Sequence, residues 1–160
     1  MTVVIMGVAG AGKTTVGTLL AQRLSWRFLE GDALHPAANV GKMRRGIPLS
    51  DEDRWPWLKA IREEILKSEG RGENLVVACS ALKASYREFL NSGTHIAWVY
   101  LKGSPEVLQA RLEQRLGHFM KSGMLASQLE TLEEPEDAIT VMVDRPAAEM
   151  VQEICERLKV

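Results

Sequence analysis

Residues 7–14 have the sequence Gly-Val-Ala-Gly-Ala-Gly-Lys-Thr, which matches the pattern GxxxxGK[ST] in full. An apolar run at residues 3–6 precedes it, and Val16 and Leu20 follow at helical spacing, so the motif joins a predicted strand to a predicted helix. Glycines let such a loop curl until several backbone N–H groups face one phosphate, and the helix N-terminus adds partial positive charge. The segment therefore predicts an α/β fold with a nucleotide-phosphate site on its first loop.

Two side chains of this loop carry specific chemistry. Lys13 is long enough to reach the β- and γ-phosphates, and the Thr14 hydroxyl is a ligand for Mg²⁺. The alternative is a glycine-rich turn without a ligand, and GTPases, motor ATPases and nucleotide switches carry the same motif. The ATP-binding residues expected from the loop are Gly7, Ala9, Gly10, Ala11, Gly12, Lys13, Thr14 and Thr15, and Lys13 is also expected to act in catalysis.

Composition sets the class of protein and excludes several others. The 160 residues suit one domain, residues 1–160, and 46% hydrophobic with 26% charged residues are typical of a globular chain. A net charge of −1 does not favour nucleic acid or an anionic membrane as a partner. Cys79 and Cys155 lie too far apart for a zinc motif, and no apolar run approaches a membrane span. We therefore expect a cytoplasmic protein with a local anion site.

Short apolar runs alternate with amphipathic helical patterns along the chain. This alternation predicts βαβ units and a parallel sheet with helices on both faces. Ligands of such sheets bind at the carboxyl ends of the strands, so the chemistry is expected at that edge. The predicted strands are residues 3–6, 28–29, 75–79, 96–101 and 139–143.

The predicted helices have recognisable starts and apolar faces. Ser50 is a predicted N-cap, Ser104 is a cap followed by Pro105 at the first helical position, and the last helix is expected to run from Pro146. The predicted apolar faces are Val16, Leu19, Leu20 and Leu24; Leu58, Ile61 and Ile65; Leu108, Leu112 and Leu116; and Val151, Ile154, Cys155 and Leu158.

Two carboxylates, Glu30 and Asp32, follow the second predicted strand with Gly31 between them. A carboxylate there would lie across from the phosphate loop, where it can accept a proton from an attacking hydroxyl or hold Mg²⁺. Asp32 is the better candidate for both roles because it lies further past the strand end. A surface turn accounts for the Gly-Asp pair equally well.

A polar stretch follows, in which His35, Asn39 and Lys42 would share one face of a helix. Such a face suits a substrate with many hydroxyl groups, although a solvated helix face explains the spacing too. Arg54 lies in the first turn of the next helix, where its guanidinium can bind a carboxylate through two hydrogen bonds. The acidic residues 51–53 beside it are explained by the helix dipole.

The third predicted strand ends at Cys79 and Ser80, where a motor ATPase would carry an aspartate. Small residues at this point let backbone groups contact a substrate, and Cys79 fits a core residue better than a nucleophile. Lys83 and Arg87 can face either the substrate or the solvent, and the sequence favours neither.

Basic residues also mark the region after the fourth predicted strand. Arg111 and Arg115 lie four residues apart on a helix that breaks at Gly117. A basic, glycine-hinged segment is typical of a mobile lid, expected roughly over residues 117–134 with a second helix over 125–132. Such a lid excludes water and brings cations to the phosphates as charge develops. Candidates are Arg111 and Arg115 for ATP, Arg115 also for catalysis, Lys121 for phosphate and His118 for the substrate.

Together these motifs resemble the gluconate kinases (gluconokinases), within the shikimate and nucleoside-monophosphate kinase group of P-loop proteins. The resemblance covers nearly the whole chain. The phosphate loop is shared by many families, whereas two other segments are far more specific. They are Gly31-Asp32-x-Leu34-His35-Pro36 and Cys79-Ser80-Ala81-Leu82-Lys83, supported by residues 46–58 and 117–120.

The resemblance implies transfer of the ATP γ-phosphate, with Mg²⁺, to the C6 hydroxyl of D-gluconate, giving 6-phosphogluconate. It also implies a five-stranded parallel sheet, a helical lid and a homodimer. By similarity to shikimate kinases, Asp32 would lie by the acceptor hydroxyl, Arg54 would hold the substrate carboxylate and Arg115 would lie over the nucleotide. Glu30 stands where an aspartate is frequent, which leaves its metal role open.

Two alternative functions stay open from the sequence. A sibling kinase would act on shikimate, another sugar acid or a nucleoside monophosphate, and a nucleotide switch would bind ATP without any acceptor. The residues around His35 and Arg54 decide among the acceptors. The expected substrate-binding residues are Asp32, His35, Lys42, Arg54, Ser80, Lys83, Arg87 and His118, and the expected metal ligands are Thr14 and Asp32.

Overall fold

A computed structural model describes residues 1–114 and 122–160. The described residues form a five-stranded sheet in the order β2-β3-β1-β4-β5, and every strand pair in it is parallel. The predicted parallel α/β fold is therefore confirmed. The strands are β1 (Thr2–Met6), β2 (Arg27–Glu30), β3 (Leu75–Ala78), β4 (Ile96–Lys102) and β5 (Ile139–Met142).

Helices connect these strands and cover both faces of the sheet. A short 3₁₀ helix over Gly31–Leu34 follows β2 directly. The α-helices of the described residues are α1 (Lys13–Leu24), α2 (Ala37–Arg44), α3 (Asp51–Gly70), α4 (Ala84–Asn91), α5 (Pro105–Glu113), α6 (Ser122–Thr131) and α7 (Ala147–Leu158).

The central strand β1 divides the core into two layers because its side chains alternate between the sheet faces. Val3 and Ile5 pack with residues of α1 and α7, whereas Val4 and Met6 pack with residues of α3 and α4. All four side chains are fully buried. Burial of each contributes about 1.5–3 kcal/mol, so β1 is held firmly and the loop that follows it starts from a fixed point.

The predicted starts of two helices are confirmed by their capping contacts. The Ser50 hydroxyl accepts from the backbone N–H of Asp53 at 3.2 Å, and the Asp53 carboxylate accepts from the Ser50 N–H at 2.9 Å. This reciprocal pair is a capping box and begins α3. Ser104 accepts from the N–H of Val107 at 3.3 Å and begins α5.

The predicted apolar face of α1 is wrong at Leu19, which is 37% exposed. The buried face instead contains Gly17 and Ala21. A Cβ atom at Gly17 would lie 2.7 Å from the ring of Phe28 in β2, so glycine at this position permits close packing of α1 on β2. Leu19 lies outside this buried face of the helix. Among the described helices, none is both long and apolar enough to cross a membrane.

Candidate active site

A cleft of about 170 Å³ opens at the carboxyl edge of the sheet, beyond β1, β2 and β3. Residues of the 7–14 loop line it together with four other residues named by the sequence, Asp32, His35, Arg54 and Ser80. The fold therefore brings the phosphate loop and the polar segment after β2 into one cavity, as predicted for the carboxyl ends of parallel strands.

The phosphate loop ends at the N-terminus of α1, with Gly12 in the left-handed region at φ 92° as its N-cap. Lys13 Nζ donates to the backbone carbonyl of Val8 at 3.0 Å. The N–H of Ala11 donates to the same carbonyl at 3.2 Å, and the N–H of Ala9 donates to Oε1 of Gln128 at 2.7 Å. Gln128 comes from α6, so a residue that the sequence did not single out contacts the loop directly.

A threonine and a glutamate form the part of the cleft that suits a cation. The Thr14 hydroxyl donates to the carboxylate of Glu30, and Oε1 of Glu30 also accepts from the N–H of Asp32 at 3.4 Å. Oxygen donors of this kind fit Mg²⁺. The sequence predicts Thr14 and Asp32 as metal ligands and leaves the metal role of Glu30 open. In the structure, Glu30 is the carboxylate that contacts Thr14. Gly31 permits this turn, because a Cβ there would lie 2.4 Å from the Ala78 carbonyl oxygen.

His35 lies deep in the cleft wall. Its ring stacks on Trp57 with centroids 4.2 Å apart, and the Trp57 indole N–H donates to the carbonyl of Gly31 at 2.8 Å. Nε2 of His35 lies 4.0 Å from Oδ1 of Asp32, and Nδ1 lies 3.1 Å from Nδ2 of Asn39. Burial lowers the pKa of His35 to about 4, against the opposing effect of the Asp32 carboxylate. The imidazole is therefore neutral at pH 7.

Arg54 reaches the cleft from the first turn of α3, as predicted. Its Nη1 donates to the hydroxyl of Tyr86 at 2.9 Å, and that hydroxyl donates to the carboxylate of Asp51. Asp51 therefore does more than complement the helix dipole, because it anchors the side chain that holds Arg54. The hydrogen bond from Tyr86, followed by that from Lys83, lowers the pKa of Asp51.

Three cations that the sequence assigned to the substrate do not line the cleft. Lys83 Nζ lies 2.9 Å from Oδ1 of Asp51, and Lys42 Nζ lies 2.8 Å from Oδ2 of Asp53, so both lysines form ion pairs with the start of α3. Arg87 is bound to backbone groups instead. It is 8% exposed and donates to the backbone carbonyls of Ala81 and Glu133, both at 2.7 Å.

Cys79 and Ser80 end β3 in different environments. Cys79 is buried, and burial raises the pKa of its thiol to about 12, so it is not a nucleophile. Ser80 lines the cleft, and its carbonyl accepts from the N–H of Gly7 at 3.4 Å. This contact ties the end of β3 to the start of the phosphate loop.

A second cleft of about 360 Å³ lies on the other side of the phosphate loop. Thr15 and Arg111, both assigned to ATP by the sequence, line it, and Arg111 donates to the backbone carbonyl of Val143. Arg145 and Pro146 line it as well and were not among the residues that the sequence predicted for the site. Their position just after β5, at the carboxyl edge, was the signal that could have found them.

Part of the predicted lid is described. The helix expected over residues 125–132 is present as α6, and its Met124 and Leu125 are buried. The predictions for Arg115, His118 and Lys121 concern residues 115–121, which lie outside the described residues.

Comparisons with known proteins agree on one family. The sequence profile of the shikimate kinase family matches residues 9–159. The thermoresistant gluconokinase of Escherichia coli is 41% identical over 161 residues, covering 98% of this chain and 92% of that protein. The gluconokinase of Gluconobacter oxydans is 52% identical over 135 residues, covering 84% and 76%. A crystal structure of a gluconokinase from Sinorhizobium meliloti matches with a TM-score of 0.85 at 45% identity, covering 99% of this chain and 95% of that one.

Proposed function

Because the chain belongs to the shikimate kinase family and, within it, to the gluconokinases, we propose that it transfers the γ-phosphate of ATP to the C6 hydroxyl of D-gluconate. The products are 6-phospho-D-gluconate and ADP. The observation that carries the proposal is that Lys13 and Thr14 of the phosphate loop line one cleft together with Asp32 and Arg54. A phosphate donor and a carboxylate-bearing acceptor can therefore bind side by side.

The nucleotide binds through the phosphate loop in this proposal. Backbone N–H groups of residues 7–14 and the Lys13 ammonium hold the triphosphate, with Thr15 and Arg111 beside it. Arg115, from a helical lid over roughly residues 117–134, adds positive charge as the phosphoryl group transfers, and the closed lid excludes water.

A bound Mg²⁺ fits the oxygen donors of Thr14 and Glu30, with Asp32 close by. When bound, the ion neutralises charge on the phosphates. The contact between the Thr14 hydroxyl and the Glu30 carboxylate supports this assignment, because it brings two oxygen ligands together at the end of the phosphate loop.

The acceptor binds through its carboxylate and its hydroxyl groups. Arg54 pairs with the carboxylate, and the Asp32 carboxylate accepts the proton of the C6 hydroxyl. The hydroxyl oxygen then forms its bond to the γ-phosphorus while the bond to the bridging oxygen of ADP breaks. His35 and Ser80, which line the same cleft, are proposed to form hydrogen bonds with hydroxyl groups of the acceptor.

The test is ADP release from MgATP by the purified protein with separate acceptors: gluconate, other sugar acids, shikimate, AMP and CMP. We expect strong stimulation by gluconate alone. Stimulation by another acceptor would keep the phosphate-loop assignment and overturn the acceptor. Tight ATP binding without stimulation by any acceptor would instead indicate a nucleotide switch.

We also propose a cytoplasmic homodimer, on the basis of the family resemblance. Light scattering coupled to gel filtration tests the oligomeric state, because a homodimer would have twice the chain mass of 17.8 kDa. A mass equal to one chain at micromolar concentration would contradict it.

A further inference from the structure

The side-chain amide of Asn39 connects α3 to the cleft. Asn39 is 3% exposed, and its Nδ2 lies 2.8 Å from the backbone carbonyl oxygen of Asp53 and 3.1 Å from Nδ1 of His35. A backbone carbonyl can only accept a hydrogen bond, so the amide group that faces it is the NH₂ group. Each of the two amide hydrogens then has its own acceptor, the Asp53 carbonyl and Nδ1 of His35.

This arrangement determines where the proton of His35 lies. A proton on Nδ1 would place two donors face to face at 3.1 Å, so Nδ1 carries a lone pair and the proton is on Nε2. The ring cannot turn over easily, because it stacks on Trp57 at an interplanar angle of 14° and its side chain is 4% exposed. The tautomer is therefore set by geometry.

The Nε2 side of the His35 ring faces Asp32, the proposed base. Nε2 lies 4.0 Å from Oδ1 of Asp32, which is longer than an N–H···O hydrogen bond, so the donor keeps its capacity for a ligand. A hydroxyl is the group that can accept from this N–H and donate to the Asp32 carboxylate at the same time. A hydroxyl oxygen placed between Nε2 and Oδ1 would therefore satisfy both residues.

We propose that Asn39 is a positioning residue that holds His35 as its Nε2–H tautomer, and that this N–H donates to a hydroxyl oxygen of the acceptor beside Asp32. His35 thereby selects acceptors with a hydroxyl at that place, since any other acceptor leaves the buried donor without a partner. The part concerning the acceptor rests on the proposed function, whereas the part concerning the tautomer does not.

The tautomer is tested without any substrate. In a long-range proton–nitrogen correlation spectrum of the protein with ¹⁵N-labelled histidine, Nε2 couples strongly to both carbon-bound ring protons and Nδ1 to only one. Signals of His35, one of the three histidines of the chain, are identified by their loss in His35→Gln. We expect the Nε2 signal of wild type to be that of a protonated nitrogen. Protonation at Nδ1 would overturn the proposal.

Asn39→Asp extends this measurement to the positioning role. A carboxylate has no hydrogen to donate, so we expect a proton to appear on Nδ1 of His35 in this variant. An unchanged tautomer in folded Asn39→Asp would remove the role of Asn39. If the variant does not fold, Asn39→Ala serves the same purpose: Nδ1 then loses its donor, and the signals should shift toward a mixture of tautomers.

The donor role is tested by two substitutions that place an amide differently. The amide nitrogen of His35→Gln lies near the former Nε2, whereas that of His35→Asn lies near the former Nδ1. We expect the KM for gluconate to be roughly tenfold higher in His35→Asn than in His35→Gln, as for the loss of one hydrogen bond, with the same KM for ATP in both.

The outcomes separate this inference from the proposed function. Equal gluconate KM values in the two variants would overturn the donor role even with gluconate as the substrate. If another acceptor stimulates ADP release, the proposed function is wrong and the same pair of variants is compared with that acceptor. If no acceptor does so, the donor role is overturned while the spectrum still decides the tautomer.

Discussion

Arg54 is held in the cleft by Tyr86, whose hydroxyl lies 2.9 Å from Nη1 of the guanidinium and donates in turn to Asp51. Lys83 completes the chain through its ion pair with the same carboxylate. Burial, together with the hydrogen bond to Asp51, raises the pKa of Tyr86, so the hydroxyl stays protonated at neutral pH. One side of Arg54 is thus fixed, and the geometry of its other donors is set before an acceptor binds.

We therefore expect Tyr86→Phe to raise the KM for gluconate by roughly three- to tenfold, the cost of one hydrogen bond, with the KM for ATP unchanged. Arg54→Ala removes the proposed carboxylate partner itself and should raise the KM on the order of a hundredfold. Steady-state kinetics with each substrate varied in turn measure both effects.

Tyr100→Phe is the matched control for Tyr86→Phe. Tyr100 is also buried, at 4% exposed, but it lies in β4 and does not line the cleft. Tyr100→Phe should leave both KM values unchanged.

An unchanged KM for gluconate in Arg54→Ala would show that Arg54 does not bind the acceptor.

Asp32→Asn should lower kcat by a factor on the order of 10²–10⁴, because an amide cannot accept the proton of the acceptor hydroxyl. The side chain is 51% exposed, so the fold should be retained. Rapid-quench measurement of phosphoryl transfer, with the circular dichroism spectrum as a check of folding, tests this. A kcat close to that of wild type would exclude Asp32 as the base.

Glu30→Gln should weaken the binding of Mg²⁺ and leave the proposed base, Asp32, unchanged. The carboxylate next to the Thr14 hydroxyl loses its charge, so the Mg²⁺ concentration for half-maximal activity should rise on the order of tenfold. Saturating Mg²⁺ should restore much of the rate in Glu30→Gln and none of it in Asp32→Asn. The same Mg²⁺ dependence in Glu30→Gln and wild type would assign the metal to other residues.

The sequence predicted the strands and helix starts well because these depend on local signals. Five apolar runs correspond to the five strands within a residue or two at each end, and Ser50 and Ser104 are caps because their hydroxyls reach an N–H three residues away. The location of the site at the carboxyl edge of the sheet was predictable from the topology alone, since all strands of a parallel sheet end on the same side.

The partners of the charged side chains were not predictable in the same way. Their positions soon after β3 in the sequence place Lys83 and Arg87 near a strand end, but Asp51 and Glu133, which bind them, lie 32 and 46 residues away. Only the packing of α3 against α4 brings Lys83 to Asp51. Sequence patterns therefore indicate which residues can lie near the cleft, but not which of them form ion pairs or hydrogen bonds elsewhere.

Asp53 should make the stability of the fold depend on pH. The hydrogen bond from Lys42, followed by that from the Ser50 N–H, lowers the pKa of Asp53 to about 2. Because this is below the value near 4 of an unfolded chain, the ionised carboxylate stabilises the fold above about pH 4, and the contribution is lost as the pH falls toward 2. Asp53→Asn should therefore be less stable than wild type at pH 7. The gap between the two proteins in free energy of unfolding should narrow below pH 4.

Urea unfolding of both proteins between pH 7 and pH 3 measures this gap. Glu52→Gln is the control, since it removes an exposed carboxylate from the same helical turn without the contacts to Lys42 and Ser50. It should show a smaller gap than Asp53→Asn at pH 7. A gap for Asp53→Asn that stays constant over the whole range would contradict the role of the ionised carboxylate.

Substitution of Gln128 can place a negative charge in the cleft next to the phosphate loop. Its Oε1 lies 2.7 Å from the backbone nitrogen of Ala9, so Gln128→Glu places a carboxylate against the loop that receives the triphosphate. Repulsion between like charges should raise the KM for ATP on the order of tenfold, and more at low salt than at high salt. Gln128→Met, which has a similar size and no charge, should raise it less. Ala126→Glu adds the same charge at an exposed position of α6 and should leave it unchanged. If Gln128→Glu and Ala126→Glu behaved alike, the nucleotide phosphates would not bind at Ala9.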